Sequence, residues 1–292
     1  MPSNFLVTSL KRLIFRAIGY NCHLGIIYDF INEEQPPPFP YFCPFTKQTT
    51  LNTSLVIIPT YNEKENIRDI LLAVFALKTP FDVLIVDDGS PDGTAEIVRS
   101  LQEEFPERLY LEERAGKQGL GTAYLHGFQW GLKRDYHYFF EMDADFSHNP
   151  QDLVRLYHAC HDEGYDVAIG SRYIKGVNVV NWPMSRVLLS FFASRYVRII
   201  LGVPIEDTTA GFICYKRAVL EKINFNRIKF VGYAFQIEMK FKTYKLGFKI
   251  KEVPVIFTDR TRGTSKMSGS IVKEAILGVL QLKYSSLNGR MN

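Results

Sequence analysis

The sequence predicts an α/β domain with a doubly wound, mostly parallel central sheet and helices on both faces. Two observations carry this. From Ser54 onward, short β-branched runs alternate with segments of helical period, the pattern of a parallel sheet whose crossovers are helices. A chain of 292 residues, 46% hydrophobic and 23% charged, can also bury a core of that size without staples.

Residues 1–50 read differently from the rest. Phe5 to Ile31 is apolar, with Lys11, Arg12 and Arg16 spaced along one helical face, and a Pro-rich run follows from Gln35 to Pro44. No long apolar core precedes a small-residue cleavage site, so a signal peptide does not fit. Three readings stay open for this extension: a membrane-surface amphipathic arm, a disordered or loosely docked segment, and residues outside the natural folded unit. Within 51–292 the expected strands are Leu55–Ile58, Val83–Val86, Leu109–Leu111, Tyr138–Met142 and Val167–Ile169, with helices near 64–77, 94–105, 122–133 and 150–163. A further helix is expected to begin at Asn181, which would cap it, with Pro183 in its first turn. A last strand is expected over Val253–Phe257, then an amphipathic helix closing a single domain.

Charge is unevenly distributed. The net charge is +4, yet from Lys216 onward 16 Lys and Arg stand against 5 Asp and Glu, a net of +11, which leaves −7 for residues 1–215. Such a basic end points to an anionic partner, although the lysines at 240–251 also fit a solvated helix face. Cys22, Cys43, Cys160 and Cys214 have no short spacing, so neither a metal knuckle nor a disulfide framework is indicated, and a reducing compartment is expected. No window is long and apolar enough to span a bilayer; the best, Val187 to Gly202, is interrupted by Arg195 and Arg198.

In this architecture ligands sit at the carboxyl ends of the strands. The first strand ends in Pro59-Thr60-Tyr61-Asn62-Glu63, an aromatic and an acid suited to a nucleobase and ribose, with simple loop packing the alternative for Tyr61. The second ends in Asp87-Asp88-Gly89-Ser90-Pro91-Asp92-Gly93-Thr94. There Asp92 is placed to cap a helix and the glycines to turn the chain, which leaves Asp88 unexplained. The fourth ends in Asp143-Ala144-Asp145. Residues i and i+2 of an extended segment face the same way, so two carboxylates project together and favour a hard divalent cation between them, Mg²⁺ or Mn²⁺. Arg186 and Ser190 lie four apart near a helix start, where one phosphate would fit. The alternative there is an arginine paired with an acid. Arg260, Arg262 and Lys266 surround Gly263 in a loop suited to closing over phosphates, the alternative being a merely solvated loop.

These motifs, with Lys117-x-Gly119-Leu120-Gly121-Thr122-Ala123-Tyr124, occur in the order found in the dolichyl and polyprenyl-phosphate mannose synthases. The resemblance spans about 54–283 and identifies the chain as a member of the inverting family 2 glycosyltransferases with a GT-A fold. It implies transfer of mannose from GDP-mannose to a polyprenyl or dolichyl phosphate. By position, Pro59, Tyr61, Glu63, Val86 and Asp88 would hold the guanosine, and Asp143, Ala144 and Asp145 the ribose, metal and diphosphate. Arg172, Arg260 and Lys266 would meet the diphosphate and sugar. Arg172, Arg186 and Ser190 would grip the acceptor phosphate. Some relatives add a glutamine two residues beyond the second Asp as a metal ligand; here Ser147 stands there.

The mechanism expected from the resemblance is direct displacement, with Asp145, Arg260 and Lys266 as its catalytic residues. A phosphate acceptor is already anionic and needs no general base. A lipid acceptor implies peripheral docking on the cytoplasmic face of a membrane, through Met184–Leu201 and Ser270–Tyr284, or with a small membrane partner subunit. A packed core helix explains the second stretch equally well. Two rivals remain: a synthase of polyprenyl-phosphate glucose or another hexose, and a non-catalytic nucleic-acid module. The short glycine-centred loop argues against the second, so no nucleic acid is expected as partner.

Overall fold

A computed structural model describes residues 53–260 and 270–287; the expectations for residues 1–50 lie outside them. The main sheet contains β1 (Ser54–Thr60), β2 (Asp82–Asp87), β3 (Leu109–Glu113), β4 (Tyr138–Glu141), β5 (Val167–Ser171), β7 (Ile213–Lys216) and β8 (Ile250–Pro254), in the order β3-β2-β1-β4-β7-β5-β8. Neighbours run parallel except β7, which is antiparallel to both β4 and β5. A second sheet pairs β6 (Val179–Val180) with β9 (Phe257–Thr258). The helices are α1 (Ile67–Phe75), α2 (Thr94–Glu104), α3 (Leu120–Leu132), α4 (Gln151–His161), α5 (Met184–Leu201), α6 (Arg217–Lys222), α7 (Tyr233–Lys245) and α8 (Ser270–Leu287).

Both faces of the sheet are covered, and alternate strand residues divide between two apolar layers. Leu55 and Ile57 of β1 point to the layer that contains Tyr124, Phe128, Val197, Phe235 and Leu282, from α3, α5, α7 and α8. Val56 and Ile58 point to the opposite layer, with Ile70, Val98 and Leu153 of α1, α2 and α4. Each such fully buried aliphatic or aromatic side chain contributes roughly 1.5–3 kcal/mol. α3 lies hard against the sheet because it carries glycines there: a Cβ on Gly127 would sit 2.6 Å from Ile57 Cγ2, and one on Gly131 would sit 2.5 Å from Phe139 Cε1.

The structure corrects several expectations. The predicted last strand is two: β8 ends at Pro254 in the main sheet, and β9 resumes at Phe257 beside β6. The strand β7, inserted between β4 and β5, was not anticipated. α5 begins at Met184, with the Pro183 carbonyl accepting the Arg186 and Val187 amides; Asn181 has φ 63° and does not cap it. Lys240 and Lys242 are buried rather than solvated. Lys240 Nζ donates to the carbonyls of Ala210 and Gln236 at 2.5 and 3.2 Å, and Lys242 Nζ to that of Arg227 at 3.0 Å. Their charge is committed to holding α7 in place.

Candidate active site

The turns after β1 and β2 are stitched together. Thr60 Oγ1 donates to Asp87 at 2.7 Å, and the Ser90 amide and hydroxyl donate to the same carboxylate at 2.8 and 2.6 Å. Asp92 accepts the Thr94 amide and hydroxyl at 3.0 and 2.6 Å from one residue before the N-cap, which is Gly93 and not Asp92 as expected, while Gly89 and Gly93 take positive φ. Asp88 is held differently. Its carboxylate receives Arg114 Nε at 2.7 Å and the Gln118 amide at 3.1 Å, and Arg114 also reaches Thr122 Oγ1 at 2.9 Å. Arg114 is nearly buried and lies one residue past β3, where sequence reasoning passed over it. Beside this pair Tyr61 offers its ring to Lys117, whose Nζ lies 5.4 Å from the centroid. Pro59 is half-buried, and Glu63 is buried and accepts Asn66 Nδ2 at 3.1 Å. The Val86 side chain lies in the core, so only its main chain is available to a nucleotide.

Beyond β4 stands the carboxylate pair. Burial first, and then the charge of Asp145, pushes Asp143 up to about 7; Tyr124 Oη lies 3.4 Å from its Oδ1. Asp145 is held below the usual carboxylate range: burial opposes ionisation, but hydrogen bonding from Ser147 and the charge of Arg260 outweigh it. The Ser147 amide donates to Asp145 Oδ1 at 3.0 Å, and Arg260 NH2 sits 2.7 Å from Oδ2. His148, buried and stacked 4.7 Å from Phe212, accepts the Asp143 amide on Nδ1 at 3.1 Å, and burial pushes its pKa down to about 4. Its role is packing and turn closure. The Ala144 side chain is buried in the core. Beneath, Glu141 accepts Gln236 Nε2 at 2.6 Å.

Two nearby carboxylates, one of them driven toward its neutral form by burial and by the other, form a site that a hard divalent cation fits, since the cation would relieve the repulsion. Among the described residues no group of three or more His, Cys, Asp or Glu gathers into a metal cage. Further oxygen ligands would therefore come from a bound diphosphate and water.

On the other side of β4 the cations gather. Arg172, just past β5, sends its amide, Nε and NH2 to the fully buried Asp207 at 2.9, 2.7 and 2.6 Å, and NH2 also reaches Thr209 Oγ1 at 2.8 Å. Asp207 is itself fixed, because its amide and that of Glu206 donate to Glu252 of β8 at 2.9 and 2.7 Å. Arg186 NH1 pairs with Asp259 at 2.8 Å, and its guanidinium lies 4.1 Å from the Trp182 ring centroid; Arg172 lies 5.5 Å from the same ring. The arginine–acid alternative thus holds for Arg186 in this structure. Ser190 follows one turn later, half-buried on α5. Neither Asp207 nor Asp259 was singled out from sequence, because neither stands where a motif required an acid. Lys266 lies outside the described residues.

α5 also presents an exposed apolar stripe. Met184, Leu188, Phe192 and Ile199 share one face and are 69, 47, 61 and 70% exposed. α8 turns Val279 and Leu282 inward while Leu277, Leu280, Tyr284 and Leu287 remain exposed, so it both packs and displays an apolar surface. Among the described residues no helix is long and apolar enough to cross a membrane.

A model of the family described as Glycosyl transferase family 2 matches residues 55–224. Polyprenol monophosphomannose synthase of Mycolicibacterium smegmatis is 48% identical over 238 residues, covering 82% of this chain and 89% of that protein. Undecaprenyl-phosphate mannosyltransferase of Micrococcus luteus is 44% identical over 241 residues, covering 81% and 98%. Among solved structures, glucosyl-3-phosphoglycerate synthase from Mycobacterium tuberculosis in complex with Mn²⁺, UDP-glucose and phosphoglyceric acid superposes with a TM-score of 0.60 at 18% identity, covering 80% of each chain. That likeness establishes the fold as the mostly parallel α/β sheet of these transferases.

Proposed function

As the chain belongs to glycosyl transferase family 2 and is a hexosyltransferase, we propose that it transfers mannose from GDP-mannose to the phosphate of a polyprenyl or dolichyl monophosphate, with inversion. The observation that carries this reading is the Asp143–Asp145 pair, half-buried and buried, at the carboxyl edge of the sheet, with Arg260 paired across Asp145. Both relatives act, by name, on polyprenyl-type phosphates with mannose, and both are matched over nearly their whole length.

In this reading Tyr61, Glu63 and Asp88 with Arg114 receive the guanosine. Asp143 and Asp145 would hold Mg²⁺ or Mn²⁺, which would supply positive charge to the departing diphosphate. Arg260, with Lys266, meets the same developing charge from the other side. Arg186 and Ser190 hold the acceptor phosphate, and Arg172 points its locked guanidinium into the same corner. An acceptor oxygen, already anionic, forms the bond to the sugar carbon as the bond to the GDP oxygen breaks on the opposite face. No proton has to be removed, and no residue is assigned as base.

The exposed faces of α5 and α8 support peripheral docking at a membrane, in this reading on its cytoplasmic face; a small membrane partner subunit would add to that docking. The test is incubation with radiolabelled sugar nucleotides, Mg²⁺ or Mn²⁺ and a short polyprenyl phosphate. A mild-acid-labile mannolipid of β configuration, formed from GDP-mannose in preference to GDP- or UDP-glucose, is the expected result. A glucolipid alone would replace mannose with glucose in the reading, and no lipid product would overturn it.

A further inference from the structure

At the far end of α5 from Arg186 the surface opens into a pocket of about 490 Å³, lined by Arg195, Arg198, Ile199, Val203, Pro204 and Tyr244 among others. Twelve residues separate Arg186 from Arg198, about 18 Å along the helix. The pocket therefore lies well away from the site described above and has no part in the proposed chemistry.

Its walls combine two chemistries. Ile199 is 70% exposed and continues the Met184, Leu188, Phe192 stripe, while Tyr244 adds a partly exposed ring with a polar tip. Arg195 falls on the same helical face as that stripe, is exposed, and has no acidic partner among the described residues. Arg198 is paired with Glu206. The carbonyl end of a helix by itself repels an anion, and Gly202 closes this one by donating its amide to the Arg198 carbonyl at 2.9 Å. Arg195, with Arg198 shared with Glu206, beside an apolar rim at such an end outweighs that repulsion only for a ligand that brings both negative charge and hydrocarbon.

We propose that this pocket binds the phosphate headgroup of an anionic membrane phospholipid, with Arg195 and Arg198 on the phosphate and Ile199 and Tyr244 against the adjoining glycerol and chain. It is a second lipid site, separate from the acceptor phosphate, and it would lay α5 in the plane of the interface. The proposal rests on the reading that the enzyme works at a lipid surface.

The test uses the full chain, sedimented with neutral phosphatidylcholine vesicles and with vesicles one-third phosphatidylglycerol. Wild type is expected to prefer the anionic vesicles. Arg195→Gln lowers that binding about fivefold, the effect of one basic residue near an anionic surface, and leaves binding to neutral vesicles unchanged. Glu206→Gln, which removes the acid competing for Arg198, raises anionic-vesicle binding. Phe192→Ser lowers binding to both vesicle types. Equal binding of wild type to both vesicles, or Arg195→Gln binding like wild type, would overturn the proposal. Binding of glycerol 3-phosphate to the vesicle-free protein as tight as the protein's binding to anionic vesicles, measured by calorimetry and lost in Arg195→Gln, would also overturn it, assigning the pocket to a free phosphate. Turnover of a short acceptor in detergent should be unaffected by Arg195→Gln. If wild type shows no such turnover, the mannosyl-transfer reading fails while the vesicle contrast still decides the pocket.

Discussion

On the β1–β4 side of the carboxyl edge, Glu63, Asp88, Asp143 and Asp145 bring carboxylates together, and Asp143 is pushed up to about 7 by burial and its neighbour. On the β5 side, Arg172 and Arg186 are each matched to an acid of the chain itself. In the first half Asp88 and Asp145 are already paired with Arg114 and Arg260, so it is Asp143, raised by burial and by Asp145, that calls for a cation. The other half holds cations already neutralised, and the two pairs there differ in kind. Arg172–Asp207 is buried, so its attraction is little screened and its geometry is fixed. Arg186–Asp259 is about 30% exposed, and such a pair is worth roughly 1 kcal/mol or less. In the proposed reading Asp259 would give way to the acceptor phosphate, whereas the buried Asp207 would keep Arg172 fixed.

The sharpest way to break this comparison is Asp207→Asn. It leaves the Arg172 charge buried without its counter-ion, and a loss of about 3–5 kcal/mol of stability is expected by denaturant unfolding. If the loss is no larger than that of a surface pair, the Arg172 pair is not a fixed element. Next comes Asp145→Asn in the carboxylate half. Turnover should fall by about 10²–10³-fold while the fold persists by circular dichroism, and calorimetry should register loss of metal-dependent nucleotide binding. Third is acid stability. His148 has its pKa pushed from an ordinary 6.5 down to about 4, so between those values the unfolded chain binds a proton that the folded chain does not. Its contribution, at most about 3 kcal/mol, is complete above pH 6.5 and is lost as pH falls toward 4. A titration of unfolding free energy with pH should steepen in that window and flatten in His148→Gln. Fourth, Arg186→Gln should raise the acceptor KM about tenfold with little change in donor affinity, the size of one charge-assisted contact. The smallest effect carries the opposite sign: Asp259→Asn should lower the acceptor KM two- to threefold by removing the competitor for Arg186.

The carboxylate half was the more legible in sequence. β1, β2 and β4 show as β-branched or aromatic runs because they are buried on both faces, and a motif placed after such a run falls at the carboxyl edge. The cation half was not, for physical reasons. Isoleucine, cysteine, tyrosine and lysine in the four-residue β7 give no periodicity to detect, and the acids that matter there are partners of arginines, fixed by contacts 35 and 73 residues away in sequence. Lys240 and Lys242 misled for a related reason: composition counts charges, but only the fold reveals that these two amines face carbonyl oxygens.

The reversed direction of β7 also bears on how the protein can be divided. Every other strand of the main sheet supplies the edge from residues that follow it, whereas β7 supplies Asp207 and Thr209 from residues that precede it. Because β7 inserts between β4 and β5, a fragment ending before residue 207 would leave the facing edges of both strands without hydrogen-bond partners in the middle of the sheet. The carboxylate and cation halves are therefore not separable modules, and complementation from two fragments cut between β5 and β7 would have to rebuild the centre of the sheet before either half acquired its shape.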